Sequence, residues 1–422
     1  YLLVVWAKSS DIISAYWYQV IQVAAITAIS SLGLNLIYGF NGQFSLGHIG
    51  FYAIGAYGSA LITKDFLTKW SGGQIGALSW IIAGQIGVVF ALLAAKWMRI
   101  GDIVGGLRSR LSALRLERHE SWVIVAFAVA ALAAIAIGLG IVVARAAHKG
   151  TFVVLENTLL KLPEGAAQNA VFFIALVNGG TMAALAAYLV GLPLLRLGSD
   201  YFGIATLGFA IMMYSALQNS DSVIATMKGA RGMVGIPRWS QWSWVFGALV
   251  LSLIIVRNLV YSTHGRAIVS VREDEIAAKT MGIDVVQLKN VAFSFGGFFA
   301  GIAGALYAHL YGFLHPSSFS MIKGFDPMII IVFGGLGSMT GTVVASALFA
   351  LVIEGLRVVL PQGFEDWRFV IYPIILLLIM LLRQQGILGT AEWGWLRAPR
   401  PVRRSPRGAA KAVLGMGQGE GG

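Results

Sequence analysis

Apolar runs of about twenty residues recur along this chain, at roughly 16–38, 45–63, 74–98, 121–144, 168–192, 201–218, 243–261, 291–312, 341–360 and 368–383, with a remnant at 1–7 and a short piece at 327–337. A helix of that length crosses the hydrocarbon core of a bilayer, about 30 Å thick. Within lipid every backbone polar group needs an internal partner, so helices rather than open sheets are expected. The fold expected is therefore an all-α, polytopic inner-membrane helical bundle with about ten transmembrane helices. Composition agrees: 57% of the residues are hydrophobic and 12% charged, where soluble domains run near 45–50% apolar and 25% charged. Such a chain has no room for a large soluble catalytic domain, and residues 1–395 read as one membrane domain.

Zero Cys excludes disulfides and thiolate sites, and the six His show no ligand-like spacing. No metal and no cofactor are expected. The net charge of +12 sits in a few segments beside apolar runs, which marks it as a topology signal rather than a nucleic-acid surface. Arg99, Arg108, Arg110, Arg115 and Arg118 form one cluster, Arg266, Arg272, Lys279 and Lys289 a second, and Arg397 to Lys411 a third. These rules put 99–120, 262–290 and 396–422 on the cytoplasmic side and 145–167 and 218–242 opposite, provided 327–337 also carries the chain across. From 396 to 422 the basic, Gly- and Pro-rich tail has no apolar face and is expected to be disordered. The chain opens on Tyr1 inside an apolar run, which reads as clipped.

Two glycine-rich turns join apolar runs: Gly39 to Gly50 and Gly334 to Gly341. Irregular backbone at membrane depth persists only where protein or a wet cavity satisfies it. Asn41, Gln43, Ser45 and His48 in the first turn either meet a passing solute or satisfy local backbone, and Gly334, Gly335 and Gly337 mark the second. Asp200 and Tyr201 read as a gate or inter-subunit latch, or Asp200 as an N-cap acid for the helix at 201–218 with Arg196 nearby. Glu354 and Arg357 are expected to pair with each other, and Trp239, Trp242 and Trp244 to anchor a membrane interface.

The polar stretch 262–290 has helical grammar. Ser270 with Glu273 reads as a capping box opening a helix that runs to Met281, Gly282 as its stop, and Asp284 with Gln287 as a second box. Glu275 and Lys279 stand four apart in the favourable order.

The run GRAIVSVREDEIAAKTMGI (265–283) resembles the EAA loop of ABC-importer permeases, the cytoplasmic element that docks on the ATPase subunit. With GLNLIYGFNGQFSLGHIGFYAIGAY (33–57), DYFGIATLGFA (200–210), GARGMVGIP (229–237) and IVFGGLGSMTG (331–341), it follows the order of LivM-type branched-chain amino acid permeases across most of 16–383. The resemblance implies a cytoplasmic coupling helix in which Arg272, Glu273, Asp274, Glu275, Ala277, Ala278 and Gly282 meet the ATPase. It further implies a translocation path or gate at the glycine turns and at Asp200 and Tyr201. The implied partners are a second, LivH-like permease, two ATPase subunits, a periplasmic solute-binding protein and the lipid bilayer, with no nucleic acid.

The chain departs from the pattern in several places. Ile276 separates Glu275 from Ala277, Gly198 and Ser199 replace Arg-Gly before Asp200, and Lys228 and Arg231 enter the loop 228–232. Residues 64–170 read as an insertion expected to carry extra spans. No Gly-Lys pair exists for a phosphate-cradling loop, so nucleotide is handled elsewhere. The function implied is an ABC permease subunit importing branched-chain amino acids by alternating access. The alternatives are the same machine carrying urea, short amides or organic acids, and an ion-coupled secondary transporter, which needs intramembrane acids that are scarce here. A membrane enzyme is disfavoured by the lack of any paired-carboxylate or nucleophile–base set in the apolar runs.

Overall fold

A computed structural model describes residues 14–64, 72–97, 118–159, 163–196 and 199–359, and beyond them 371, 374, 378, 381, 385–389 and 391–397. The helices are α1 (Ala15–Asn35, continued by a π turn Leu36–Phe40), α2 (His48–Lys64), α3 (Gly72–Trp97), α4 (Arg118–Leu159), α5 (Glu164–Leu194) and α6 (Ser199–Gln218). They continue as α7 (Trp242–Tyr261), α8 (Thr263–Glu273), α9 (Glu275–Thr280), α10 (Val285–Tyr311), α11 (Met321–Gly334) and α12 (Met339–Val359). A two-residue ribbon pairs β1 (Met233–Val234) antiparallel with β2 (Phe313–Leu314). Among the described residues seven helices are long and apolar enough to cross a membrane. The chain is an all-α polytopic membrane protein, as its apolar runs require.

Helix α10 lies at the centre, packed on α1, α2 and α5. Glycine lets it sit there, because lipid supplies no hydrophobic drive between helices and close backbone approach does the work. Gly33 of α1 faces Gly296, and Gly55 of α2 faces Gly301 so closely that a Cβ on Gly55 would lie 2.2 Å from the Gly301 carbonyl oxygen. Gly179 of α5 closes the same crossing, 2.5 Å from a Cβ built on Gly301. Phe51, edge-on to Phe293 at 5.2 Å and tilted against Phe209 at 4.8 Å, fills the space beside it. Some buried polar groups pair within the bundle: a His309 ring nitrogen bonds Thr63 Oγ1 at 2.7 Å, and Ser240 Oγ donates to the Leu306 carbonyl at 2.7 Å.

The stretch expected as an insertion supplies α3 and α4, which pack on each other through Gly87 and Gly140. They join the body through α5, where Thr181 Oγ1 donates to Gln85 Oε1 at 2.8 Å and Val171 and Ala175 meet Ile62 and Leu78. Helix α4 runs beyond the apolar stretch 121–144 to Leu159, 42 residues in all, about 63 Å against a core of about 30 Å. Its sequence explains this, since RAAHKGTFVVLENTL carries no proline and Pro163 is the first break.

One expectation changes at the level of a side chain, and another falls outside the described residues. Trp242 is no interface anchor: it is buried, stacked on Tyr18 at 4.6 Å and on Phe246 at 4.2 Å. Glu354 accepts from the Tyr16 hydroxyl across α1 and α12, and the Arg357 side chain lies outside the described residues. The run 368–383 and the tail beyond Arg397 lie largely or wholly outside them too. Leu396, at the start of the expected tail, is fully buried.

Two helices begin inside the bundle rather than at its rim. After Phe40 the chain doubles back as irregular backbone, and His48 Nε2 bonds the Ser30 carbonyl at 2.8 Å, ten residues or about 15 Å back along α1. Likewise the chain leaves α10, and Phe319 packs against Tyr52, Tyr57 and Tyr307 before α11 starts. Helix α11 has 14 residues, about 21 Å, too short to cross alone.

Candidate functional site

The polar stretch 262–290 folds as two helices and a hinge. Ser262 caps α8, its Oγ accepting from the Gly265 amide at 3.1 Å, and Gly265, Ile268 and Val271 form the buried stripe that holds α8 to the body. The expected capping box at Ser270 is a correction: Ser270 lies within α8 and its Oγ donates back to the Ala267 carbonyl at 2.8 Å. The helix expected from Val271 to Met281 is broken at Asp274, which is extended (φ −155°, ψ 109°) and whose Oδ1 accepts from both the Ile276 and Ala277 amides at 2.9 Å. An aspartate in that conformation is a strong N-cap, and it wins over continuation of the preceding helix.

The stop at Gly282 is as expected. Gly282 has φ +80°, its amide donates to the Lys279 carbonyl at 3.0 Å, and the Ile283 amide donates to the Ala278 carbonyl at 3.1 Å, the two bonds of a Schellman motif. Asp284 then accepts from the Gln287 amide at 3.0 Å and launches α10.

Charge clamps this element to the membrane helix that follows. Glu275 pairs with Lys279 at 2.9 Å and with Lys289 of α10 at 2.7 Å. Hydrogen bonds from Lys289 and then Lys279 hold its carboxyl below the usual glutamate range. A folded-state pKa below the unfolded one means that the clamp is fully present above the ordinary range of about 4.3 and is lost as pH falls through the lower folded value. Amide protection over 276–283, measured relative to the intrinsic exchange rate at each pH, is expected to fall as pH drops below the ordinary glutamate range. Glu275→Gln should show faster exchange already at neutral pH and a smaller acid response. Equal exchange in both proteins at neutral pH would show that the clamp holds nothing.

Among the residues expected to meet an ATPase, Glu273, Asp274, Ala277 and Gly282 are exposed, whereas Ala278 is buried against Val271 and Val285. Sequence reasoning missed Ile276 and Met281, apolar side chains 76% and 82% exposed on this polar element. Their apolar character amid charges was the available signal.

Arg272 is exposed too, its side chain 39% accessible and its Nε 3.8 Å from Glu273 Oε1, yet its guanidinium also reaches into the body. Its Nη1 donates to the Gly39 carbonyl at 2.6 Å, a Cβ at Gly42 would lie 3.2 Å from its Cγ, and a Cβ at Gly337 3.1 Å from its Nη1. One arginine thus touches both glycine-rich turns. Asn35, buried in the last turn of α1 and also missed from sequence, ties the turns together. Its Nδ2 donates to the Ser338 carbonyl at 3.0 Å and to Thr342 Oγ1 at 2.9 Å, and its Oδ1 accepts from the Gly337 amide at 2.9 Å. Gly335 and Gly337 have φ of +112° and +81°, and a Cβ at Gly334 would meet the Gly341 carbonyl oxygen at 2.4 Å. Glu392, from the far end of the chain, accepts from the Met339 and Thr340 amides at 2.6 and 3.1 Å, a carboxylate at the start of α12.

The polar residues of the first turn are all buried. Asn41 Nδ2 donates to Gln43 Oε1 at 2.7 Å and His48 holds Ser30 as above, so part of this set satisfies local structure. Asn41 Oδ1, Ser45 Oγ and His48 Nδ1 have no protein partner. Asp200 sits within the first turn of α6 rather than at its cap, and its side chain lies outside the described residues. Tyr201 is exposed. Lys228 takes the left-handed conformation, φ +59°, at a position where the resembling pattern has glycine, and both Lys228 and Arg231 are exposed.

The description "Branched-chain amino acid transport system / permease component" matches residues 123–381. The chain belongs to this permease family. Among its relatives is the high-affinity branched-chain amino acid transport permease LivM of Escherichia coli, 30% identical over 274 residues, which are 57% of this chain and 61% of that protein. LivM of Salmonella typhimurium is 30% identical over 251 residues, 51% of this chain and 57% of that protein. LivH of Escherichia coli is 23% identical over 311 residues, 73% of this chain and 93% of that protein. The permease thus spans about 60% of the length of the LivM relatives. No solved structure matches it. The relatives are named as transport permeases, and this permease carries the glycine turns and the charged loop on one connected set of contacts.

Proposed function

We propose that this permease is one membrane subunit of an ABC importer that moves branched-chain amino acids inward across the inner membrane by alternating access. Its partners are a second, LivH-like permease, two ATPase subunits and a periplasmic solute-binding protein. The observation that carries this reading is the Arg272 contact: the loop that resembles an ATPase-docking element is bonded to Gly39 and packed on Gly337. A push on α9 from the cytoplasm reaches the irregular backbone where α1 ends and where α11 gives way to α12. Glu273, Ala277, Ile276 and Met281 offer the surface that meets the ATPase, and the Glu275 clamp carries movement into α10.

The nucleotide is handled by the partner, since no Gly-Lys pair exists in this sequence. Purified permease alone in liposomes is expected neither to hydrolyse ATP nor to accumulate leucine, and addition of the partner subunits should restore both. Single-Cys variants of this Cys-free chain should label 262–290 from the cytoplasmic side and 218–242 from the opposite side. ATPase activity of the isolated chain, or labelling of both stretches from one side, would overturn the assignment.

A further inference from the structure

Helix α11 carries an ion pair, Lys323 Nζ to Asp326 Oδ2 at 3.7 Å, with side chains 49% and 20% exposed. Packing fixes its depth. A Cβ at Gly324 would lie 3.1 Å from Ile49 Cγ2 and 3.8 Å from the Leu46 carbonyl oxygen. Ile49 follows His48, which is bonded to Ser30, and Ser30 is the sixteenth residue of a 26-residue apolar run, Ala15–Phe40. The pair therefore lies near half-depth of the bundle. Beside it Ile322 is 75% exposed, and α6, which packs on α11, shows Tyr201 and Ile204 on its open side.

Lipid cannot be what meets this face. Lysine and aspartate within the hydrocarbon are costly, and where they occur they face a bundle interior or a water-filled cavity. The lysine stem is too short to bring its ammonium from half-depth to either boundary. Two helix starts, those of α2 and α11, also converge at this level, an arrangement in which helix N-termini favour an anionic group of a solute. Ser45 Oγ, one residue from Leu46, is buried there without a protein partner.

We propose that Lys323 and Asp326 form a recognition point for a zwitterionic α-amino acid in transit, the ammonium of Lys323 meeting the solute carboxylate and the carboxylate of Asp326 meeting its ammonium. This rests on the proposed importer function and adds to it a place and a chemistry: the pair exchanges its internal contact for two contacts to a solute of the same charge pattern, so no charge is left unpaired.

The test uses the complete transporter, with its second permease, ATPases and binding protein, in liposomes. Wild type should accumulate labelled leucine and discriminate against leucinamide, which lacks the carboxylate. Lys323→Met should cut leucine uptake about tenfold or more and lose that discrimination, with the ATPase subunits still co-purifying, while Lys323→Arg keeps most of both. Ile322→Cys in the assembled transporter should react with a water-soluble thiol reagent, and more slowly with leucine present. Leucine uptake by Lys323→Met at the wild-type rate, or reaction of Ile322→Cys only with lipid-soluble reagents, overturns this site and leaves the importer reading standing. A wild-type complex that accumulates no zwitterionic amino acid overturns both.

Discussion

Replacing Arg272 by alanine is expected to lower leucine uptake by about tenfold or more while the ATPase subunits still co-purify. A hydrogen bond to a charged group contributes about 1.5–3 kcal/mol, and Arg272 donates one to Gly39 at 2.6 Å while its stem packs on Gly42 and its guanidinium on Gly337. Removing it frees the end of α8 from both turns and leaves α9 with its own cap and stop, because Asp274, Gly282 and the Glu275 clamp do not depend on it. Assembly and transmission should therefore separate. Arg272→Lys should retain only part of the uptake, since a point charge cannot bond Gly39 and lie along Gly337 in the planar way a guanidinium does. If the alanine variant transports at the wild-type rate, the loop does not act through the turns. Loss of ATPase binding in parallel with uptake would instead make Arg272 a docking residue.

Gly304→Ala is expected to destabilise the bundle more than any other single methyl addition discussed here. The added Cβ would lie 2.0 Å from the Tyr52 carbonyl oxygen and 2.9 Å from its carbon, and backbone cannot swing aside as a side chain can. Helices α2 and α10 must separate at the crossing shared with Gly55, Gly301 and Gly179. Overpacking of this kind costs about 1–3 kcal/mol and at times more. The measurement is the thermal midpoint and yield of the purified protein in detergent, with Gly247→Ala in α7 as control. A Cβ at Gly247 meets nothing within 4 Å, so alanine there should be neutral or slightly stabilising. Equal behaviour of the two variants would mean that the crossing is looser than the geometry requires.

The helices were legible in the sequence to within a few residues where one apolar run ended in clear punctuation, as for Trp242–Tyr261 and Ser199–Gln218. They were not legible where helix grammar competed with itself. Ser270 with Glu273 has the letters of a capping box, but the buried stripe Gly265, Ile268 and Val271 keeps that turn helical and Asp274 takes the cap instead. The site residues divide in the same way. Gly282 and the Glu275–Lys279 pair follow from local spacing, whereas Asn35, Glu392 and the inward turn of Arg272 depend on contacts between residues far apart in the chain.

Hydropathy by itself determined that this chain is a helical membrane protein, since continuous apolar runs of about twenty residues fit spanning helices, which satisfy their own polar backbone in lipid. Motif order determined its family, and clustered cations set the sidedness to be tested. Only the tertiary structure decided that α2 and α11 start near half-depth, that the two glycine turns meet through Asn35 and Arg272, and that Lys323 and Asp326 lie at that level. Those outcomes depend on which backbones approach closely enough for glycine to be required, and a linear pattern of apolar residues does not carry that distance information.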